Sequence, residues 1–254
     1  MSTFDDNAIK HNIEKIRERI EKAAERSGRK AENIALMAVS KFHSFEEIQS
    51  AYRAGIRLFG ENRVQEAVCK FANMRQTLEQ SELHMIGTLQ RNKVKDIVPL
   101  VSCIQSVDRI ELLDEIAKQL HKDKSTTVGQ SQTQIQAQPQ SQSQAVKLLF
   151  EIHTGEKSKA GFANEDDTVR ALEHAEKLKL QVTGFMTMAP FTEDRTQIRK
   201  SFASLRELSE HMQKRFPFFC FTELSMGMSG DFEIAVEEGS TMVRVGTSIF
   251  GTRT

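Results

Sequence analysis

Ile9, Ile13, Ile16 and Ile20 recur at spacings of four, three and four in an otherwise charged stretch, a pattern that predicts an amphipathic helix over residues 5–26. Asp5 and Asp6 are placed to cap its start, and Gly28 ends it. Beyond it, short apolar runs alternate with polar-faced segments of helical period. Strands are expected at 34–40, 57–61, 82–87, 101–107, 146–153, 181–188, 219–226 and 241–246. Helices are expected at 44–54, 63–79, 90–98, 108–121, 165–179, 194–215 and 230–238. Each return to a parallel neighbour needs a crossover, so the alternation implies a parallel α/β sheet. Eight such strands fit a single (β/α)8 TIM-type barrel with an extra N-terminal helix, one domain over residues 1–254. The alternative is an open doubly wound sheet, but the Gly-x-Gly-x-x-Gly that usually follows its first strand is absent.

One segment breaks the alternation. From Gly129 to Gln144 glutamine occupies every second position, and almost nothing apolar stands between. Such a stretch cannot bury enough surface to offset its ordering entropy, so residues 122–145 are expected to be a disordered low-complexity insert. It joins the fourth barrel helix to the fifth strand, on the face opposite a barrel's active site.

Bulk composition narrows the classes further. Lys+Arg and Asp+Glu balance at 35 each, so no global charge draws the chain to nucleic acid or an anionic membrane. Cys69, Cys103 and Cys220 are odd in number and far apart, which indicates neither a disulfide framework nor a zinc site. The histidines His11, His43, His121, His174 and His211 show no ligand spacing, so no metal is expected. With a charged N-terminus and no apolar run near the ~20 residues of a membrane span, a cytoplasmic protein is expected.

The chemistry gathers at the C-terminal ends of the expected strands. Lys41 follows the apolar run Ile34 to Val39 and Ser40. Partial desolvation there would lower its pKa and make it a nucleophile for aldehydes, a Schiff-base lysine; the plain alternative is a lysine that ends a strand. Ser225, Gly227, Ser229 and Gly230 precede a helix, and Gly246, Thr247 and Ser248 follow the last strand. Small residues at these two strand ends suit a phosphate, because backbone N–H groups can approach it closely. Arg244 alternates with Val243 and Val245 and so faces the barrel interior, either toward a ligand heteroatom or in a salt bridge to Glu61 or Glu223. A lysine, a phosphate cup and an inward arginine together fit pyridoxal 5'-phosphate (PLP).

The chain resembles the pyridoxal-phosphate homeostasis proteins, small relatives of the alanine racemase barrel. The resemblance runs through Ala38-Val39-Ser40-Lys41, Phe59 to Glu66, His84 to Lys93, Glu156 to Phe162, Gly184 to Thr187, Leu224 to Ser229 and Gly239 to Gly251. It implies a cofactor linked to Lys41, with phosphate held near Ser225, Met226, Gly227, Gly246 and Thr247. It also implies that Arg244 faces the pyridine nitrogen, that Asn62 lines the pocket and that Lys159 is a second lysine in cofactor handling. The implied role is storage, delivery or buffering of PLP in the cell, by a monomer that hands it to PLP-dependent apo-enzymes. Departures from the family's pattern are Phe42-His43-Ser44 after the lysine, Leu83 before the strand-three histidine, His153 for an asparagine, and the glutamine-rich insert.

The alternatives are a PLP-dependent racemase or lyase of low activity, recruiting His84, Lys93 or Lys159 as a base, and a cofactor-free Schiff-base aldolase. An arginine at the pyridine nitrogen disfavours its protonation and weakens the ring as an electron sink. Racemases also supply a tyrosine from an added C-terminal domain, for which a chain ending at Thr254 is expected to have no room; Tyr52 is expected on the first barrel helix. Deletion of residues 125–144 is expected to leave PLP binding intact, as read by cofactor titration. Loss of binding would mean that the strands on either side are misassigned.

Overall fold

Eight short strands pair side by side in chain order, all parallel, and the eighth pairs with the first to close a barrel. They are β1 (Ala35–Val39), β2 (Leu58–Glu61), β3 (Glu82–Met85), β4 (Cys103–Val107), β5 (Lys147–Glu151), β6 (Val182–Met186), β7 (Glu223–Ser225) and β8 (Met242–Val245). The computed structural model describes residues 6–72, 77–126, 146–155 and 160–251. Among the described residues the helices named here are α1 (Asp6–Arg26), α2 (Phe45–Arg53), α3 (Val64–Phe71), α4 (Val94–Ile97), α5 (Ile110–Thr126), α6 (Glu165–Lys177), α7 (Arg195–Arg215), α8 (Phe232–Glu237) and α9 (Thr247–Phe250). Closure removes both sheet edges and decides against the open doubly wound alternative.

The elements follow local chemistry. Ser44 caps α2 in a reciprocal box with Glu47, so the turn carrying Lys41 feeds into a helix start that satisfies its own N–H groups. Asn164 caps α6 by accepting from the Asp167 N–H, and Asp194 caps α7 by accepting from the Thr196 and Gln197 N–H groups. In α1, the four isoleucines of the predicted stripe are buried. The helix lies against α2, α8 and α9. Arg19 pairs with Glu233, Arg26 pairs with Glu237, and Asn12 donates to the Ile249 carbonyl at 3.0 Å. This helix therefore braces the two helices that begin just after the ends of β7 and β8.

Some expected boundaries shift. The strand expected from residue 219 begins at Glu223. Phe216, Phe218, Phe219 and Phe221 instead cluster ahead of it in edge-to-face and tilted ring contacts, with the Phe218 and Phe219 centroids 4.7 Å apart. An aromatic run satisfies the strand pattern and the cluster pattern equally. The helix expected at 90–98 splits into a 3-10 turn (Arg91–Lys93) and α4, and α9 was not foreseen. Helix α5 reaches Thr126, and most of the glutamine-rich insert lies outside the described residues.

The main core lies between sheet and helices. A small separate cluster of Cys103, Leu149 and Met186 fills part of the barrel interior. The same interior also holds polar groups: His84, Gln105, Glu151, Ser225 and Arg244 are all buried. Gly184 marks the tightest approach of β6 to β7, since a Cβ there would stand 1.8 Å from the Glu223 carbonyl oxygen. Gly184→Ala is expected to cost about 3 kcal/mol or more, read as a lowered urea midpoint. A wild-type midpoint would show that the two strands are free to separate.

Candidate cofactor-binding site

Four neighbouring strands, β7, β8, β1 and β2, bring the predicted site residues to one end of the barrel. In the β1–β8 pairing Ala38 faces Val245, so the next residues, Val39 and Gly246, lie together. A Cβ on Gly246 would stand 3.2 Å from the Val39 carbonyl oxygen. Lys41 is two residues beyond Val39, and Thr247 follows Gly246 on the exposed rim. The seam thus sets the lysine and one glycine loop side by side.

Lys41 is partly buried, and its backbone is held on both flanks. Lys70 Nζ donates to the Ser40 carbonyl at 2.8 Å, and the Phe42 N–H donates to Glu66 Oε2 at 2.8 Å. Lys70 and Glu66 are themselves paired at 3.0 Å across one turn of α3. Phe42 sits at φ 68°, a conformation that a non-glycine residue holds only when its surroundings over-determine it. Behind this turn, buried Glu61 accepts from Ser40 Oγ at 2.8 Å and from Lys70 at 3.1 Å. Burial raises the Glu61 carboxyl above its ordinary value despite Lys70.

Arg244 faces inward as its alternation predicted and is 4% exposed. It forms neither of the salt bridges considered for it: Glu61 is paired with Lys70, and Glu223 with Lys147. Its Nη1 donates to the Ser225 carbonyl at 2.6 Å and to Ser225 Oγ at 2.7 Å, and its Nη2 donates to the Thr187 carbonyl at 2.7 Å. Burial lowers its pKa to about 10, still a cation at neutral pH. Three of the five guanidinium N–H groups are thereby engaged by protein.

The glycine loops are built for close approach. Gly227 has φ 96°, and a Cβ on it would stand 2.6 Å from Ala235 Cβ, so α8 packs directly on this turn. Asp231 Oδ1 accepts from the Met228 N–H at 2.6 Å, and the Ser248 N–H donates to Ser229 Oγ at 3.3 Å, which ties the two loops together. Two groups of the predicted phosphate set are engaged within the barrel: the Met226 N–H with the Met242 carbonyl, and Ser225 Oγ with Gln105 and Arg244. Asn62 supplies a buried Oδ1 with no hydrogen-bond partner among the described residues. A buried amide oxygen left without a donor costs free energy, so this atom marks a place for a polar ligand. The rim therefore fits a phosphorylated aldehyde, with a lysine, glycine loops, an inward cation and an orphaned acceptor. Lys159 lies outside the described residues.

Other residues escaped the sequence reading. Glu151 ends the apolar run of β5 much as Lys41 follows that of β1, and that shared pattern was the available signal. It is 4% exposed, and its carboxyl is raised to about 7 by burial and then by Asp108, with Arg244 opposing. His84, considered as a rim base, lies inside the barrel with both ring nitrogens engaged, by Gln105 and by Glu82. Tyr52 lies on α2, and its hydroxyl donates to the Glu79 carbonyl, just before the N-terminal end of β3 and away from the rim.

The family described as alanine racemase, N-terminal domain, matches residues 4–254. The pyridoxal phosphate homeostasis protein of Aquifex aeolicus is 35% identical over 242 residues, covering 95% of this chain and 96% of that one. The chain belongs to the pyridoxal phosphate homeostasis protein family. Among solved structures, PipY of Synechococcus elongatus PCC7942 with PLP bound is similar at a TM-score of 0.73 and 32% identity, over 92% of this chain and 100% of that one. Alanine racemase of E. faecalis shares the fold at a TM-score of 0.64 and 15% identity, and the chain spans 59% of its length.

Glu151 gives this family member a testable pH dependence. In the unfolded chain its carboxyl ionises near the ordinary 4.5, and in the fold only near 7. Between those values the folded state holds a proton that the unfolded state has released, so stability falls as pH rises through the window and levels off above it. Glu151→Gln in the cofactor-free protein is expected to be the more stable form at pH 8, by up to about 3 kcal/mol, with the gap closing toward pH 4. Urea midpoints at several pH values check this, and a gap independent of pH would exclude it.

Proposed function

We propose that this protein binds pyridoxal 5'-phosphate at the C-terminal rim of the barrel and acts in its homeostasis, storing, buffering or delivering it without robust turnover. The observation that carries the reading is the pairing, at one seam, of Lys41 with a buried arginine whose partners are neutral oxygens. Membership of the pyridoxal phosphate homeostasis proteins and the PLP-bound relative support it. Residues 1–254 are taken as one cofactor-binding domain, with residues 122–145 outside its chemistry.

When bound, the cofactor supplies an aldehyde that condenses with a lysine amine and a pyridine ring that can accept electrons. Lys41 is the residue for the covalent link, its backbone clamped by the Lys70–Glu66 pair. The loops around Gly246–Thr247 and Ser225–Met226–Gly227 would hold the phosphate and Asn62 would line the pocket, while resemblance to the family gives Lys159 a part in cofactor handling. Arg244 would donate to the ring nitrogen. A guanidinium at about 10 gives up its proton reluctantly, so the nitrogen stays unprotonated and the ring remains a weak electron sink. That suits a carrier better than a catalyst of carbanion chemistry. Buried Glu151, raised to about 7, is the one observation that favours the alternative, a racemase or lyase of low activity. A monomer that passes PLP to apo-enzymes in the cytoplasm accords with three free cysteines, and no helix among the described residues is long and apolar enough to cross a membrane.

Wild type and Lys41→Ala are to be titrated with PLP, followed by absorbance, and reduced with borohydride. Wild type is expected to develop a visible band that reduction removes, leaving the cofactor fixed to Lys41, and the variant to show neither. Absence of the band in wild type would refute the reading. Amino-acid turnover that disappears in Lys41→Ala would favour the alternative.

A further inference from the structure

Below Arg244, a chain of buried polar groups crosses the barrel interior, and elementary donor counting assigns every hydrogen in it. A guanidinium only donates, so Ser225 Oγ accepts from Arg244 Nη1 at 2.7 Å. The serine hydroxyl has a single proton, which goes to Gln105 Oε1 at 2.6 Å. That makes Oε1 the acceptor end of the amide and Nε2 the donor end. Nε2 lies 2.8 Å from His84 Nδ1 and 3.0 Å from Met242 Sδ, both able to accept. Nδ1 is therefore bare, and the imidazole proton sits on Nε2, which faces Glu82 Oε2 at 3.4 Å. Glu82, also bonded by Ser102 Oγ at 2.9 Å, is an ionised carboxylate at the half-exposed far end, its pKa lowered to about 2 chiefly by the His84 hydrogen bond. Every donor points the same way, from the cation at Arg244 to the anion at Glu82.

We infer that Gln105 and His84 are positioning residues for Arg244: through Ser225 they hold the guanidinium in one orientation and thereby set how the site receives the pyridine ring. The inference rests on the proposed reading of the rim as a PLP site. Three of its links, Ser225, Gln105 and His84, are nearly or fully inaccessible to solvent, so a broken link is not repaired by bulk water. A merely space-filling Gln105 makes the opposite forecast, because an apolar residue of similar volume would then serve as well or better.

Long-range proton–nitrogen NMR of the cofactor-free wild type is expected to show His84 neutral, with the proton on Nε2. A proton on Nδ1 would overturn the chain whatever the protein binds. PLP affinity is then measured for Gln105→Leu and Gln105→Glu, with melting temperature as the folding control. Gln105→Leu is expected to weaken binding about tenfold, with a displaced visible band of the bound cofactor. Gln105→Glu keeps an acceptor for Ser225 and is expected to recover affinity to within about threefold of wild type. Its second oxygen, buried where the amide nitrogen stood, shares one hydrogen with Nδ1 as Nε2 does, so the link to His84 is kept. Equal affinity in Gln105→Leu and wild type, or an affinity in Gln105→Glu as low as in Gln105→Leu, would overturn the inference. Should Gln105→Leu fail to fold, the wild-type His84 tautomer decides. Failure of wild type to bind PLP would refute the functional reading alone, since the wild-type tautomer is read without cofactor.

Discussion

The mouth of this barrel depends on the seam where the last strand pairs with the first. Nothing in chain order makes Lys41 and Gly246 neighbours; the register of Ala38 against Val245 does. Because strand side chains alternate in direction, a slip of one residue would turn Arg244 out of the interior. The seam is reinforced from outside by α1, whose isoleucine stripe and arginines fasten α8 and α9, the helices that start beside the two glycine loops. The N-terminal helix is thus part of the support of the site.

The interior shows what a site costs a barrel. Hydrophobic layers would fill the space most stably, yet Cys103, Leu149 and Met186 fill only part of it. Arg244 is a buried cation satisfied by carbonyl and hydroxyl oxygens, with no carboxylate among its hydrogen-bond partners. Neutral partners satisfy its hydrogens, while Glu151 and Asp231 act on its charge through space without bonding to it. Glu151 shows the converse cost, an acid that burial holds partly protonated near neutral pH. Such groups trade stability for a fixed electrostatic environment, and cluster where ligands are handled.

Much of this was legible in the chain. The isoleucine spacing marked α1, and all eight expected strands are present with shifted ends. Lys41, Asn62, Ser225, Gly227, Arg244, Gly246 and Thr247 could be named from strand-end chemistry or from resemblance to the family. Pattern failed where two packings share one signal: Phe219 and Phe221 read as strand but form part of an aromatic cluster. It also missed Gln105 and Glu151, because alternation can give the face of a polar residue in an apolar run but not the distant groups that meet it there.

Sequence by itself determined which segments become strands and helices and which residues stand at strand ends, because these follow from periodicity and local backbone preference over a few residues. Tertiary structure decided the partners: Lys70 and Glu66 on either side of Lys41, carbonyls instead of Glu61 or Glu223 for Arg244, and the single direction of hydrogen bonding from Arg244 to Glu82. Those pairings join residues up to more than a hundred positions apart, such as Gln105 and Ser225, and only the closed barrel brings them within bonding distance.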